Sequence, residues 1–510
     1  MSFSLIPDLT DFFFSLSSEV REDLFSRLPA RREVAISRLR ETLPTTFDLP
    51  YIENAILPAL VTTVFEGEKL SLPMIDETHF TKENALPFFL WGMLYDSWEP
   101  NLEEDGLSVF IQGYENRGDD NRRKKIYYSA MTPDLYAPFY QAKVASFFDR
   151  LFEPSRANQP LMRQYLDIYF DLYWDLHVGV SGDDIPSDIR QIGESFNTAL
   201  AYLSPIKDIV HDNYVRVRSL RPFLTQWIGE RVEDIASHRI SHPERTWVYY
   251  WLKNGEESPD FRRKDVVFEC FHNFVALSQW GNTIYNMMRL LSDNAGDETV
   301  KVWFRQTMES DYDRVSEGSF SPLDRFVMEL FRVISPNGGS ISTVAESEQL
   351  PPVFPRYGYV SSPHPATSRD RRHWVDPDDF NPDRYLTAPT SDEVNEARAK
   401  EIGFAQCPFH QSALAVKDGR KAELTNSIFG TVFGVTEAQS YPVCDYAGYA
   451  PFGFGYRRCP GELLTVDLFK DFLRKVWKDN IRFEQVESAG LKSVPVGPAT
   501  VVKDDIVFSR

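Results

Sequence analysis

Phe452-Gly-Phe-Gly455-Tyr-Arg457-Arg-Cys459-Pro-Gly461 is the stretch on which the reading of this chain turns. It matches the pattern F-x-x-G-x-R-x-C-x-G at all five fixed positions. Cys459 offers one sulfur to a metal. Gly455 and Gly461 let the backbone pass close to a flat ligand. Backbone N–H groups in such a loop can point at the sulfur and tune it. Arg457, two residues before the cysteine, suits a carboxylate, which a guanidinium fork binds well. Taken alone, a cysteine in a Gly-rich turn before a helix is more often a buried structural residue. Five fixed positions in so short a window outweigh that bland reading.

Two further motifs precede the loop. Phe326-Val-Met-Glu329-Leu-Phe-Arg332-Val-Ile-Ser-Pro336 contains E-x-x-R followed by a proline. Residues three apart share a helix face, so Glu329 and Arg332 can pair. Phe380-Asn-Pro382-Asp-Arg384-Tyr385 then fits F-x-P-x-R-[FY]. In this order, ahead of the cysteine loop, the motifs resemble those of the cytochrome P450 superfamily. The resemblance implies a mainly α fold with small β-sheets in a single large domain. It implies haem b as cofactor, with Cys459 as the axial metal ligand, and an axial thiolate favours O–O cleavage. Phe452, Gly455 and Gly461 would shape the haem-binding loop, and Arg457 would reach a propionate. Glu329, Arg332 and Arg384 would form a buried ion triad that braces the loop. That role is structural, because removing one partner strands a buried charge.

Residues 264–292 form a long apolar helix, which resembles the central helix over the distal haem face. Relatives commonly carry there a small residue, a glycine, a variable residue, an acid and a threonine. The best match is Gln279-Trp280-Gly281-Asn282-Thr283. The threonine is kept, Asn282 replaces the acid, and Gln279 and Trp280 replace the small pair. Splitting O2 needs protons relayed to the distal oxygen, and an amide does not cycle a proton at ordinary pH. Thr283 is expected to aid proton delivery and Asn282 to position water. A low-polarity pocket beside Gly281 is expected to hold the substrate. Asn121 and Lys125 stand where a His or Trp and an Arg commonly bind propionates, and lysine acts there as a point donor. Arg356 is a further candidate, because residues 337–343 carry no cation.

The chain has 510 residues, 42% hydrophobic and 14% aromatic, enough for a large core. Its four cysteines show no C-x-x-C spacing, which excludes a disulfide framework or a zinc pair and fits a reducing, cytoplasmic setting. Cys407 and His410 lie in an insertion at about 388–445 and read as a surface excursion. Near the start, Phe12, Phe13 and Phe14 form a short cluster among Asp8, Asp11 and Glu19. A span needs about 20 apolar residues, so a soluble chain with no transmembrane anchor is expected. The net charge of −20 excludes nucleic acid as a main partner. Arg457, Arg458, Lys470, Arg474, Lys475 and Lys478 gather locally. They read either as a basic face that steers an acidic electron carrier or as a solvated helix face.

Residues 1–100 read as helical pieces of the same domain, and 101–510 as the haem domain with its insertion. Residues 140–255 carry aromatic stripes at helical spacing, which are core far more often than cofactor contacts. Residues 501–508 read as one short terminal strand. The function expected from the resemblance is O2-dependent monooxygenation of an apolar small molecule in specialised metabolism. A ferredoxin, flavodoxin or reductase would supply electrons to a monomer. Asn282, Gln279 and the insertion favour an alternative on the same fold: a hydroperoxide or endoperoxide isomerase, a dehydratase or a peroxygenase. A third reading is a haem-binding protein without turnover.

Overall fold

The computed structural model describes residues 70–71, 126–200, 207–256, 261, 263–317, 320–336, 340–343, 359–362, 365, 368–369, 371, 374–387, 425–426, 432–433, 449, 451–452, 459, 461–487, 493–497 and 500–510. Among them the helices are α1 (Gln141–Leu151), α2 (Leu161–Val178), α3 (Ser187–Leu200), α4 (Lys207–Ala236), α5 (Trp247–Gly255), α6 (Arg263–Leu291), α7 (Glu298–Glu309), α8 (Pro322–Ile334) and α9 (Glu462–Lys478). The chain is mainly α, and its strands form small sheets.

α2 shows why the core sits where it does. Its sequence is apolar on nearly every face, and residues all round it are buried, including Tyr165, Tyr169, Tyr173 and Trp174. A helix that is hydrophobic all round belongs inside. α1, α6 and α9 supply the neighbours that complete this core. α2 ends at Gly179 with φ 72°, where its N–H donates to Asp175 O at 3.1 Å. Glycine takes that left-handed conformation without a Cβ penalty. α8 begins with a capping box: Ser321 Oγ accepts from Asp324 N–H, and Asp324 accepts from Ser321 N–H at 3.0 Å. Pro322 follows the cap, where its missing N–H costs nothing.

The first sheet has the order β1–β3–β2. β3 (Tyr359–Ser362) pairs in parallel with β1 (Leu70–Ser71) and antiparallel with β2 (Ser340–Thr343). A strand at Leu70–Ser71 departs from the helical reading of residues 1–100, most of which lie outside the described residues. From the insertion, only β4 (Thr425–Asn426) and β5 (Val432–Phe433) are described.

The C-terminal end corrects a second expectation. Residues 501–508 are not one strand. After β6 (Arg482–Gln485) and β7 (Ser493–Gly497), the chain forms β8 (Thr500–Lys503) and β9 (Ile506–Ser509). β7 pairs with β8, and β6 with β9. The break falls at Asp504 and Asp505, whose carboxylates are drawn inward. Asp504 Oδ1 accepts from the N–H groups of Met162 and Arg163 at 2.8 and 3.3 Å. It thereby satisfies donors in the first turn of α2, which every helix leaves without intrahelical partners. Asp505 accepts from Tyr285 Oη at 3.1 Å and Gln485 Nε2 at 2.7 Å.

No helix among the described residues is long and apolar enough to cross a membrane. Packing between α2 and α3 is close: a Cβ on Gly193 would sit 2.2 Å from the Phe170 ring. Gly193→Ala is expected to destabilise the fold by about 1–3 kcal/mol through overpacking. A lower urea midpoint with an unchanged m-value would register it.

Candidate functional site

Glu329 and Arg332 lie one turn apart on α8, and neither side chain has exposed surface. Arg332 grips the carboxylate with two parallel bonds: Nε to Oε2 and Nη2 to Oε1, both at 2.8 Å. Arg384 Nε donates to the same Oε1 at 3.0 Å. Asn381 N–H and Tyr385 Oη also donate to the carboxylate, at 2.9 and 3.0 Å. The remaining donors of Arg332 reach the carbonyls of Ser368, Pro377 and Asp379, at 2.8, 2.7 and 3.0 Å. Both guanidinium carbons lie over the Trp374 ring, at 5.4 Å for Arg332 and 5.7 Å for Arg384. A buried carboxylate is tolerated because its oxygens are satisfied by charge-assisted bonds.

This anchor reaches the cysteine loop through aromatic packing. Phe331 packs against Phe452 with ring centroids 5.0 Å apart. Tyr449 Oη donates to Met328 O at 3.3 Å. Phe452 then accepts the Cys459 N–H on its carbonyl at 2.8 Å, which closes the loop. Cys459 is a half-buried thiol. Gly461 is the N-cap of α9, so the sulfur sits near the positive end of a 17-residue helix. Such an end favours negative charge. A Cβ on Gly461 would lie 3.5 Å from Met131 Sδ and 3.8 Å from Cys459 Sγ. Among the described residues there is no group of three or more His, Cys, Asp or Glu able to hold a metal ion. A metal on this sulfur would take its other ligands from a bound group. Gly455, Arg457, Asn121, Lys125 and Arg356 lie outside the described residues.

α6 carries the other sequence-marked residues. Thr283 is buried, and its hydroxyl donates to Gln279 O at 2.9 Å. Asn282 Oδ1 and O both accept from Asn286 Nδ2 at 2.9 Å, so this amide oxygen is engaged along its own helix. Gln279 Oε1 is buried with no hydrogen-bond partner among the described residues. Trp280 donates through Nε1 to Thr465 Oγ1 on α9 at 3.1 Å.

A Cβ at Gly281 would lie 2.8 Å from Val496 Cβ and 2.9 Å from Tyr165 Cε1, so among the described residues the side toward which it would point is filled. That face of α6 is packed on β7 and α2. The described cations of the basic cluster mostly pair with carboxylates. Lys470 pairs with Asp324 at 2.6 Å and lies 3.9 Å from Asp467. Arg474 pairs with Asp313 and Asp471, and Lys475 with Asp149 and Asp479. Lys478 is exposed, and Arg457 and Arg458 lie outside the described residues.

A buried polar chain escaped the sequence reading. Tyr127 Oη donates to Asn273 Oδ1 on α6. Asn273 Nδ2 lies 2.9 Å from His177 Nε2, and His177 Nδ1 lies 2.7 Å from Tyr173 O. A carbonyl only accepts, so Nδ1 carries the proton and Nε2 accepts from the amide. Burial pushes the His177 pKa down to about 3, against the pull of the Tyr173 carbonyl. Burial also holds the Tyr127 hydroxyl well above its usual range, and the charges of Glu269 and Cys459 add to this. Trp251 Nε1 donates to Tyr127 O at 2.8 Å, and the two rings stack at 5.3 Å. The available signal was a histidine and an asparagine inside otherwise apolar helical stripes, since buried polar groups seek partners.

No family model matches the chain. A stretch of 93 residues, 18% of the chain, is 33% identical to the cytochrome P450 monooxygenase aunB of Aspergillus niger strain ATCC 1015. The aunB protein of A. niger strain CBS 513.88 matches at the same identity over the same length. The chain spans 58% of the first curated relative and 21% of the second. Among solved structures, CalO2 aligns with TM-score 0.54 and 13% identity over 91% of this chain and 99% of that one. A cytochrome P450, CYP102L1, aligns with TM-score 0.51 and 12% identity over 84% and 88%. The retinoic acid-bound cyanobacterial CYP120A1 aligns with TM-score 0.50 and 15% identity over 80% and 83%. At these identities the likeness is one of fold.

Glu329→Ala would leave Arg332 buried without its carboxylate. It is expected to cost about 3–5 kcal/mol in a urea titration. His177 gives a pH signature. Its folded pKa is depressed below the unfolded value, so the unfolded chain binds the extra proton. Its contribution to stability is complete above about pH 6.5 and is lost as pH falls toward about 3. His177→Gln should flatten that part of the stability–pH curve.

Proposed function

We propose that the chain is a member of the cytochrome P450 superfamily and works as a haem-thiolate oxidoreductase. Its reaction is O2-dependent monooxygenation of an apolar small molecule. The observation that carries this reading is the cysteine loop: a half-buried thiol at the head of α9, tied by its own N–H to Phe452 O at 2.8 Å. The close-packed glycine beside the sulfur and the buried Glu329 anchor under Phe452 fit the same purpose. Bound haem b supplies O2 activation, which no side chain of the protein provides.

The residues then divide the work. Cys459 would hold the haem iron through its thiolate, and the N-terminal end of α9 favours the negative charge of that sulfur. Glu329, Arg332 and Arg384 keep the loop from shifting as that charge is bound. Arg457, Asn121 and Lys125 are the candidates for the propionates. Thr283 can turn its hydroxyl from Gln279 O toward a ligand, so it is the proton-handling group of α6. Asn282 is an orienting group, since an amide donates and accepts without titrating. Gln279 Oε1 is an acceptor in want of a donor, either a water or a substrate hydroxyl. The reading carries with it one haem domain over 101–510, with 1–100 as part of it and 388–445 as an insertion. It also carries a ferredoxin, flavodoxin or reductase as electron source, and a role in specialised metabolism.

One observation favours a second reading. From Gln279 to Thr283 the helix carries no titratable side chain, and the Asn282 oxygen is already bonded to Asn286. Rearrangement of a hydroperoxide or endoperoxide, or peroxygenation, needs no delivery of protons to O2. These reactions begin from oxygen that is already reduced.

A single sample separates the readings. Reduced protein under CO is expected to give a thiolate-type absorbance band, and Cys459→Ala should abolish it. The same protein, anaerobic and without reductant, is mixed with a fatty-acid hydroperoxide. Little turnover supports the monooxygenase. Rapid formation of rearranged products transfers the assignment to the isomerase. A wild-type protein without the thiolate band overturns both.

A further inference from the structure

The cysteine loop suits haem, but one side chain of α6 does not. Trp280 is buried, with 4% exposure, and its Nε1 donates to Thr465 Oγ1 on α9 at 3.1 Å. Thr465 belongs to the first turn of α9, and its N–H donates to Gly461 O at 3.0 Å. A Cβ on Gly461 would lie 3.8 Å from Cys459 Sγ. α6 therefore touches α9 about one turn from the residues that hold the sulfur. A flat macrocycle needs carbon contacts of about 3.5–4.0 Å on each face, so its two walls stand roughly 7–8 Å apart. Walls joined by a single hydrogen bond leave no such gap, and with the indole in this place the lining does not fit the cofactor.

The backbone of α6 has little room to make that gap by retreating. A Cβ on Gly281 would meet Val496 Cβ at 2.8 Å and Tyr165 Cε1 at 2.9 Å, so the helix is flush against β7 and α2. About two turns earlier, Asn273 accepts from Tyr127 Oη, and its Nδ2 lies 2.9 Å from His177 Nε2. What can change is the rotamer of Trp280. An indole is itself a flat slab, and turning it aside clears a slab-shaped space beside the loop. Its polar restraint is one neutral hydrogen bond to a half-buried threonine. Gln279 and Trp280 stand where the related pattern has two small residues, so this obstruction is the chain's own.

We propose that Trp280 is a latch on the cofactor site, fastened by its bond to Thr465. With the indole on Thr465 the site is shut to haem. With the indole turned aside, haem b reaches Cys459, and the two arrangements exclude each other. The proposal rests on the haem-thiolate reading and adds a control to it: the Trp280–Thr465 bond sets how much of the chain can take up cofactor. A ligand that fits one arrangement alone draws the population toward it. Its apparent affinity is reduced to the fraction that is open. Breaking the latch must therefore strengthen and speed haem uptake, whereas loss of a merely supporting contact would weaken it.

The test adds hemin to the haem-stripped full chain and follows the rise of the haem absorbance band, by stopped flow for the rate and by titration for the affinity. Circular dichroism checks folding. Thr465→Val removes the acceptor and keeps the shape. It should raise both the rate and the affinity about five-fold, the factor for one neutral hydrogen bond. Thr465→Ser keeps the acceptor and should stay with the wild type. Trp280→Ala removes bond and slab together and should gain more than Thr465→Val. A folded Thr465→Val that takes up hemin no faster and no more tightly than the wild type overturns the latch, and so does a Thr465→Ser that gains as much as Thr465→Val. If Trp280→Ala fails to fold, the Val and Ser pair at position 465 decides alone. The hemin-loaded wild type is then reduced under CO. A thiolate-type band beside a silent Thr465→Val means that only the latch has failed. Uptake without that band, or no uptake by any variant, removes the haem-thiolate reading and the latch with it.

Discussion

Glu329 has no exposed surface, yet its carboxylate accepts from two arginines, a backbone N–H and a tyrosine hydroxyl. Charge buried in this way is held only if every lone pair is used and the countercharge stays in place. Satisfying Arg332 pulls in the carbonyls of Ser368, Pro377 and Asp379, and Arg384 adds those of Val375 and Asp376. The irregular segment around 374–387 has little regular secondary structure of its own to satisfy its backbone. It folds around two guanidinium groups instead, with Trp374 beneath both. Tyr385, Tyr449 and Phe452 build outward from that centre, and Phe452 O accepts the Cys459 N–H.

On α6, three consecutive residues commit the helix in different directions. Gln279 keeps a buried acceptor atom without a partner, Trp280 reaches α9, and Gly281 is flush against β7 and α2. Consecutive helical residues point about 100° apart, so this short run fixes the rotation of the helix about its axis. About two turns earlier, Asn273 ties α6 to Tyr127 and His177. The helix is therefore pinned at two levels.

α9 carries four basic and three acidic side chains. The cations that looked available for an electron carrier are largely spent on carboxylates of α1, α8 and α9 itself. Pairing of Arg474 with Asp471 and of Lys475 with Asp479 follows ordinary one-turn spacing. Pairing with Asp149 and Asp324 needs helices brought together from far along the chain. A charge count along one segment therefore overstated the field at that surface.

Much of this molecule was legible before any coordinates. The E-x-x-R spacing states which residues share a helix face, and the five-position loop motif states where a lone sulfur is held, because both depend on contacts within a few residues. The long apolar run of α6 is legible for the same reason, since its periodicity is local. What the tertiary structure alone decided are the meetings between distant segments. Asp504 splits the expected terminal strand because a helix 342 residues earlier leaves N–H groups to be satisfied. Gly281 abuts Val496 of β7, and Trp280 finds Thr465 across 185 residues. Local sequence encodes which groups need partners. Which partners they get is settled by burial, when the whole chain closes round them.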